Sequence, residues 1–292
     1  MWRLIAGCGY LNAPGDPLVE AHAGGQGHYP ANTLAAFEHA LAAGYPAIEF
    51  DLGMMADGEL VLAHDPWLDG QRCTDLNDVP LTKTLWLADY TLDELADTVR
   101  CGGVPNPDFP DAAVVSEPLT AYTTLLDLLV GHPELTLHHD LKYDPALGVS
   151  AEAWPDALLP AWEAAALPNP WYVDSPFPEL IRVFEAQGDI RTSLGWPTWE
   201  LDKNQVGTVL AAEFAVGVGV ESILAAVEDA GADSVGIYWQ NADRFVVEDL
   251  THRGIGVQVY APETEVQLDD FCRWPLEAII TDYPERVPCW SL

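Results

Sequence analysis

Eight apolar runs of strand length alternate along the 292-residue chain with stretches of helical periodicity, and this alternation limits the fold more than any other feature. The runs are LVEAHA (18–23), AIEFDL (47–52), LTLHHDL (135–141), WYVDS (171–175), IRTSLGW (190–196), DSVGIYW (233–239), GVQVYA (256–261) and EAIITD (277–282). Between them lie NTLAAFEHALAAG, LTAYTTLLDLLVG, PELIRVFEAQG, GVESILAAVEDAG, VVEDLTHRG and VQLDDFCRW, several of which stop at glycine, as helices commonly do. Parallel strands need a crossover of helix length, so regular alternation implies a parallel sheet. Eight such strands close into a barrel. The expected fold is therefore α/β, a TIM (β/α)8 barrel forming one domain over residues 1–292, with 1–17 as an N-terminal extension. Residues 66–118 break the rhythm and read as an insertion after the second strand. They are rich in Pro, Asp and Gly and hold one helical piece, TLDELADTV. An excursion on the C-terminal side of a barrel strand would lie over the active-site mouth, as a cap or a specificity element.

Charge narrows the choice of partner. There are 46 acidic residues against 12 basic, a net charge of −34, and only Lys83, Lys142 and Lys203 are lysines. No basic stripe is available to release counterions from a phosphate backbone, which excludes nucleic acid, and anionic lipid surfaces are repelled in the same way. The simplest meaning of the charge is a solvated acidic shell; low-affinity calcium sites are the functional alternative. No apolar run approaches the roughly 20 residues needed to cross a bilayer, so no transmembrane segment is expected. Five cysteines, at positions 8, 73, 101, 272 and 289, show no CxxC spacing. Cys73 and Cys101 bracket a loop-rich stretch, and Cys272 and Cys289 bracket the last strand. Two disulfides with Cys8 left over would suit an oxidising compartment, and buried free thiols are the alternative. The opening MWRLIAGCGY looks like the tail of a lipoprotein signal, too short to be a complete one. These features set an expectation of an extracytoplasmic location, secreted, periplasmic or lipoprotein, with the cytoplasm as the other choice.

The chemistry gathers between Glu20 and Asp65. His22 closes the first strand, and Glu49 and Asp51 stand two residues apart in the second, where a period of two puts both on one face. Two anions that close repel unless a cation lies between them. His64 ends the short hairpin strand ELVLAH, and Asp140 and Lys142 end the third barrel strand. Groups at the C-terminal ends of barrel strands converge on one pocket, so all six are expected together. Oxygen ligands from Glu49, Asp51 and Asp140 suit one divalent cation, Mg2+ or Ca2+, rather than zinc, because no thiolate is near. A metal flanked by two histidines points to hydrolysis or transfer at a charged ester.

At these positions the sequence resembles the glycerophosphodiester phosphodiesterase family, from about Leu18 to Val287. The resemblance rests on His22-Ala23-Gly24, Pro30-Ala31-Asn32-Thr33 before Ala36-Phe37, Glu49-Phe50-Asp51, Asp57-Gly58 and His64-Asp65. Further on, Asp140-Leu141-Lys142, Ser175-Pro176-Phe177 and Thr281-Asp282-Tyr283-Pro284 look like the family's later motifs. Each piece is weak alone, and the combination is specific. It implies a barrel enzyme that cleaves a glycerophosphodiester to sn-glycerol 3-phosphate and an alcohol, with Glu49, Asp51 and Asp140 on the metal and His22 and His64 exchanging protons. Lys142, Asn32 and Tyr260 would contact substrate or phosphate. Five positions depart from the pattern: Ala23 stands for the family's arginine, Ala31 for its glutamate, Asp140 for a longer glutamate, and Tyr260-Ala261 where Trp-Thr is frequent. An aspartate and a lysine without the arginine are also similar to the spider-venom sphingomyelinase D branch of the same barrel. A phospholipid-cleaving enzyme of that kind, or of lysophospholipase D type acting on a lysophospholipid, is the second expectation. A non-catalytic binding barrel is the third.

Plainer roles compete at several positions. Asn32 could be only a helix cap. Lys142 could be a solvated terminal lysine, although it shares a strand face with Asp140. His138, one layer deeper on that face, reads as structural, hydrogen-bonded to the inward-facing Glu20. His28, His39, His132, His139 and His252 read as surface or loop residues. Trp67, Trp196 and Trp239 sit near strand ends and read as core or rim before any wall for a choline group.

Overall fold

The computed structural model describes residues 16–196 and 220–290. The N-terminal extension as far as residue 15, with Cys8, lies outside the described residues. Eight parallel strands make the barrel: β1 (Leu18–Ala21), β2 (Ala47–Met54), β3 (Thr136–Leu141), β4 (Trp171–Ser175), β5 (Arg191–Trp196), β6 (Ser234–Tyr238), β7 (Gly256–Tyr260) and β8 (Ala278–Thr281). Each pairs in parallel with the next, and β1 pairs with both β8 and β2, which closes the ring. The expected TIM (β/α)8 architecture is the one found.

Seven helices are described around it: α1 (Leu34–Ala43), α2 (Tyr122–Leu128), α3 (Ala153–Ala165), α4 (Pro178–Glu185), α5 (Val220–Ala230), α6 (Arg244–His252) and α7 (Glu265–Phe271). The sequence pattern missed α3, because Pro155 and Pro160 interrupt a run that otherwise has helical spacing. Proline in a helix interior removes one backbone hydrogen bond and opposes the turn before it. Here Trp154 and Leu158, one turn apart, are buried on the barrel side while Pro160 faces solvent. Burial of that stripe outweighs the lost bond.

The outward faces of the strands meet the helices in two apolar clusters. In one, Ile48, Phe50 and Leu52 of β2 pack with Phe37 of α1 and Leu125 and Leu126 of α2. In the other, Val235 and Ile237 of β6, Val257 and Val259 of β7 and Ile279 of β8 pack with Ile223, Val247, Leu250 and Leu268. One polar group sits in the first cluster. His139, expected at the surface, is fully buried on the outer face of β3. Its Nδ1 donates to the Tyr172 carbonyl at 3.2 Å, and Nε2 accepts from the Tyr122 hydroxyl at 2.8 Å. Alternation turns His138 inward and His139 outward, and a polar residue on the outer face reads as exposed unless the covering helices are known.

Inside the barrel the chain is polar. Glu20 of β1 accepts from His138 Nδ1 of β3 at 2.9 Å and from the Tyr172 hydroxyl of β4 at 2.9 Å. Residues on β1, β3 and β4 can touch only through the interior, so the expected pairing of His138 with Glu20 is present. A second interior pair joins Arg191 and Glu277 at 2.5 Å.

The excursion at 66–118 docks over the C-terminal end of β2. Leu60–Leu62 runs antiparallel to β2, and two small sheets follow, Trp67–Leu68 with Leu85–Trp86 and Cys73–Thr74 with Arg100–Cys101. Cys73 and Cys101 are disulfide-bonded, as are Cys272 and Cys289. Leu87 is buried against Gly53, where a Cβ would come within 2.4 Å of its Cδ1, so a side chain at position 53 would force Leu87 to shift. Just before the excursion ends, Glu117 accepts from the backbone N–H of Leu34 at 2.8 Å and of Ala35 at 3.3 Å, at the start of α1.

Burial holds the His139 imidazole down at about 3, against about 6.5 in an unfolded chain. Between those values the unfolded chain binds a proton that the folded one refuses, so stability is complete above about pH 6.5 and falls as pH drops. A His139→Gln variant, which keeps an acceptor for Tyr122, is expected to lose about 2–3 kcal/mol less between pH 7 and 4.5 than the wild type. Urea unfolding at the two pH values measures the difference.

Candidate active site

β1 ends two residues earlier than the run at 18–23 suggests, and His22 opens a short turn, His22–Gly24, in which Ala23 adopts the left-handed region at φ 48°. A non-glycine residue there is held against its preference. The turn aims the Ala23 N–H at Glu49 Oε2, 2.6 Å away. It also sets His22 Nε2 at 4.0 Å from the same oxygen. His22 Nδ1 meets Asp282 Oδ1 at 2.6 Å, and Gln26 Nε2 donates to that oxygen at 2.8 Å. Asp282 lies one residue past the end of β8 and is not among the residues expected to carry the chemistry. Its place in the closing Thr281-Asp282-Tyr283-Pro284 motif was the available signal.

Alternation along β2 puts Glu49 and Asp51 on the inner face, 2% and 0% exposed, and the register with β3 sets Asp140 beside Asp51. One oxygen from each of Glu49, Asp51 and Asp140 lies within 4.8 Å of the others. Lys142 Nζ bridges two of them, at 2.7 Å from Asp51 Oδ1 and 2.6 Å from Asp140 Oδ2. It is not a solvated terminal lysine. Asn32 is not the helix cap either, because Thr33 caps α1 through Ala36 N. Asn32 sits at φ 61°, donates to Asp51 Oδ2 at 2.5 Å and accepts from the Asp51 N–H at 3.1 Å. Asparagine tolerates that backbone conformation better than most residues, and its amide serves one carboxylate and one N–H together.

His64 stands at the rim, its side chain 44% exposed, with Nδ1 at 3.1 Å from Asp65 Oδ1. Arg72 of the excursion pairs with the other Asp65 oxygen at 2.8 Å. Tyr260 closes β7 with its ring 5.5 Å from that of Tyr238. Trp67 packs on Trp86 in the excursion, Trp196 is buried in the second apolar cluster, and Trp239 packs at its edge. Packed on one another and on apolar neighbours, these tryptophans behave as core and rim.

Like charges set the electrostatics. Burial and the adjacent Asp51 push the Glu49 carboxyl up to about 8. Burial opposes charge on Asp51 as well, yet Lys142, followed by the two histidines, holds it below the usual carboxylate range. Burial disfavours a proton on His22, but Asp282, Glu49 and Asp51 overrule it and raise the imidazole to about 10. Asp140 Oδ1 is buried with no hydrogen-bond partner. An all-oxygen donor set, an unsatisfied carboxylate oxygen and crowding of anions fit a hard divalent cation such as Mg2+ or Ca2+. A further acid, Asp174 on β4, is paired in register with Asp140 and was not singled out in the sequence. Burial and Asp140 raise its carboxyl to about 7.

A parallel barrel with paired acids, a lysine and a carboxylate-clasped histidine at its C-terminal mouth defines a class of phosphate-ester enzymes. Residues 22–286 match the glycerophosphoryl diester phosphodiesterase family, and the chain belongs to it. A glycerophosphodiester phosphodiesterase of Bacillus altitudinis is 32% identical over 124 residues, 42% of this chain and 44% of that one. Another from Bacillus subtilis is 32% identical over 105 residues, 36% and 32% of the two chains. The matched segments thus span less than half of these relatives. Among solved structures, a glycerophosphoryl diester phosphodiesterase relative from Silicibacter pomeroyi aligns with a TM-score of 0.79 at 24% identity, covering 94% of this chain and 92% of that one. An Oleispira antarctica phosphodiesterase in complex with the product sn-glycerol-3-phosphate aligns with a TM-score of 0.72 at 18% identity, covering 93% and 95%. At these identities the likeness establishes the fold.

Replacing Asn32 with alanine strips Asp51 of one donor and leaves its N–H unpaired inside the protein. A loss of about 1–3 kcal/mol is expected, measured by chemical denaturation, with Asn32→Gly distinguishing backbone strain from the lost hydrogen bonds.

Proposed function

We propose that the protein is a metal-dependent phosphodiesterase that hydrolyses glycerophosphodiesters to sn-glycerol 3-phosphate and an alcohol. The observation that carries this reading is the meeting of Glu49, Asp51, Asp140 and Lys142 beside a histidine clasped by Asp282. Family membership and the product-bound Oleispira antarctica relative support it. A divalent cation held by Glu49, Asp51 and Asp140 would neutralise the nonbridging phosphate oxygens as charge develops on them. Lys142 supplies a fixed positive charge to the same oxygens. His64, with Asp65 on Nδ1, accepts the proton of the substrate hydroxyl next to the phosphoester. That oxygen bonds to phosphorus while the bond to the departing alcohol breaks, and His22 protonates the alcohol. A cyclic phosphate results. Water then adds to phosphorus, losing its proton to the now neutral His22, and His64 returns its proton to the ring oxygen that leaves. Asp282 keeps His22 oriented and favours its protonated form, which suits the acid of the first step.

Substrate is read as a small-molecule glycerophosphodiester, with a lysophospholipid as the alternative. The two disulfides support an extracytoplasmic location, because such bonds persist in oxidising compartments.

Glycerophosphocholine, lysophosphatidylcholine and a bis-aryl phosphodiester, each with Mg2+, Ca2+ or chelator, test the reading. Release of glycerol phosphate that stops with chelator and returns with metal is the expected result. Accumulation of cyclic lysophosphatidate from the lipid would favour the sphingomyelinase D-like alternative, and binding without turnover would favour a non-catalytic barrel. His22→Ala and His64→Ala are each expected to lower kcat by about a hundredfold or more.

A further inference from the structure

Glu117, where the excursion returns to the barrel, reaches across to the start of α1. Its two carboxylate oxygens take the Leu34 and Ala35 N–H groups, and the Thr33 hydroxyl takes that of Ala36 at 3.3 Å. The first N–H groups of a helix have no partner within it, so these three are all satisfied from outside. Asn32, which clasps Asp51, stands two residues before Leu34.

The segment 30–33 is held from both sides. On the inner side the Asn32 N–H donates to the Ala23 carbonyl at 3.1 Å, and the Ala23 N–H donates to Glu49. Two of the three clustered acids are thus tied to one short network. On the outer side Cys101 and Glu117 exchange backbone hydrogen bonds at 2.7 and 2.9 Å, and the disulfide to Cys73 fixes Cys101 in turn. Gly102 packs so closely that a Cβ there would lie 3.1 Å from side-chain carbons of Pro30 and Thr33. Asn32 sits at φ 61°, a backbone conformation that persists only where its surroundings impose it.

An acid at a helix start is commonly a cap supplied by the preceding residue, as Asp243 is for α6, where it accepts from the Phe245 and Val246 N–H groups. Glu117 is different. It comes from 83 positions away and is anchored in the disulfide-tied excursion, so it couples the first turn of α1 to that rigid body.

We propose that Glu117 is a positioning residue of the metal centre, acting through the first turn of α1 on Asn32 and through Asn32 on the Asp51 carboxylate. The inference rests on the metal-dependent reading. It adds a determinant of cation affinity that touches neither ion nor substrate and lies outside the family-like motifs.

The test is calorimetric titration of Mg2+ and Ca2+ into chelator-stripped wild type, Glu117→Ala, Glu117→Gln, Asp243→Ala, Asn32→Ala and the Asn32→Ala/Glu117→Ala double variant, with thermal unfolding of each. Partners that orient metal ligands contribute roughly ten- to a hundredfold in affinity, so Glu117→Ala, one step farther out, is expected to weaken Kd by about tenfold. Saturating metal should return its kcat to near the wild-type value. Glu117→Gln keeps one acceptor oxygen and is expected to weaken Kd by only about threefold. Asp243→Ala removes a comparable pair of hydrogen bonds on the opposite side of the barrel, and should lower the unfolding midpoint while leaving Kd unchanged. On the Asn32→Ala background the Glu117 substitution should add no further loss. Wild-type affinity in Glu117→Ala would overturn the proposal and leave Glu117 a cap alone. An equal loss in Asp243→Ala, or a tenfold loss undiminished on the Asn32→Ala background, would overturn it as well. If Glu117→Ala does not fold, Glu117→Gln decides: a weakened Kd supports the proposal and an unchanged one overturns it. A wild type that binds neither ion would overturn the metal-dependent reading, and this inference with it.

Discussion

Carboxylates crowded at the mouth of the barrel are the constraint around which the rest is arranged. Glu49, Asp51 and Asp140 are brought together by strand alternation and by the β2–β3 register, and neither device lowers their mutual repulsion. Paired anions in a low-dielectric site must recruit positive charge or take up protons. The structure uses both answers. Lys142 lies on two of the three acids, and Glu49, the one it does not touch, has the elevated proton affinity. Backbone and amide donors from Ala23 and Asn32 then fix the oxygens in position without neutralising them. A site with that residual demand for positive charge is suited to a divalent ion, and the same crowding that opposes folding creates the affinity.

The barrel interior spreads the same problem over several layers. A TIM barrel is usually filled by branched aliphatic side chains. This one contains Glu20, His138, Tyr172, Arg191, Ser193 and Gln258, and most of their polar atoms are satisfied across the interior. A buried charge pair contributes little net stability because desolvation consumes most of its attraction. Stability comes instead from the outward faces of the strands, where Phe50, Leu52, Val235 and Val257 meet the helices. The division is efficient for an enzyme: one side of each strand holds the fold, and the other is released for chemistry.

This division also explains what the sequence made legible. Glu49 and Asp51 stood out because acids at a spacing of two in an apolar strand have no structural reason to be there. The eight strands stood out because their outer faces must be apolar for the helices to dock. Asp282 and Asp174 were less visible, since a single acid at a strand end is common and its meaning depends on which strand lies beside it. His139 was misread because exposure on a strand that is covered on both faces cannot be judged from hydropathy. At Asn32 the two roles open in the sequence could not be separated, because asparagine before a helix is a good cap, and only the fold reveals that Thr33 does the capping while Asn32 turns back to Asp51. α3 was lost to two prolines whose local penalty is overcome by tertiary burial of Trp154 and Leu158.

The excursion links stability to the order of the barrel mouth in a way no single motif shows. His64 lies at its start, on the rim, where an imidazole would otherwise swing freely. Asp65 takes one ring nitrogen, and Arg72 takes the other oxygen of Asp65, so the rim histidine is oriented through a chain of two contacts that ends in the excursion. Exposed ion pairs are individually weak, worth about 0–1 kcal/mol, and Arg72 alone could not hold this chain still. The next residue is Cys73, joined to Cys101 across 28 positions, a closure worth about 3–4 kcal/mol in the chain-entropy model. The Gly102 N–H donates to the Arg72 carbonyl at 2.9 Å, which fixes the backbone on the other side of the same link. A covalent bond remote from the acids therefore restrains the backbone that presents Arg72, and through it the partner of His64. At the exposed position of His64, order has to be imported from a rigid neighbour, and the disulfide-tied excursion is that neighbour.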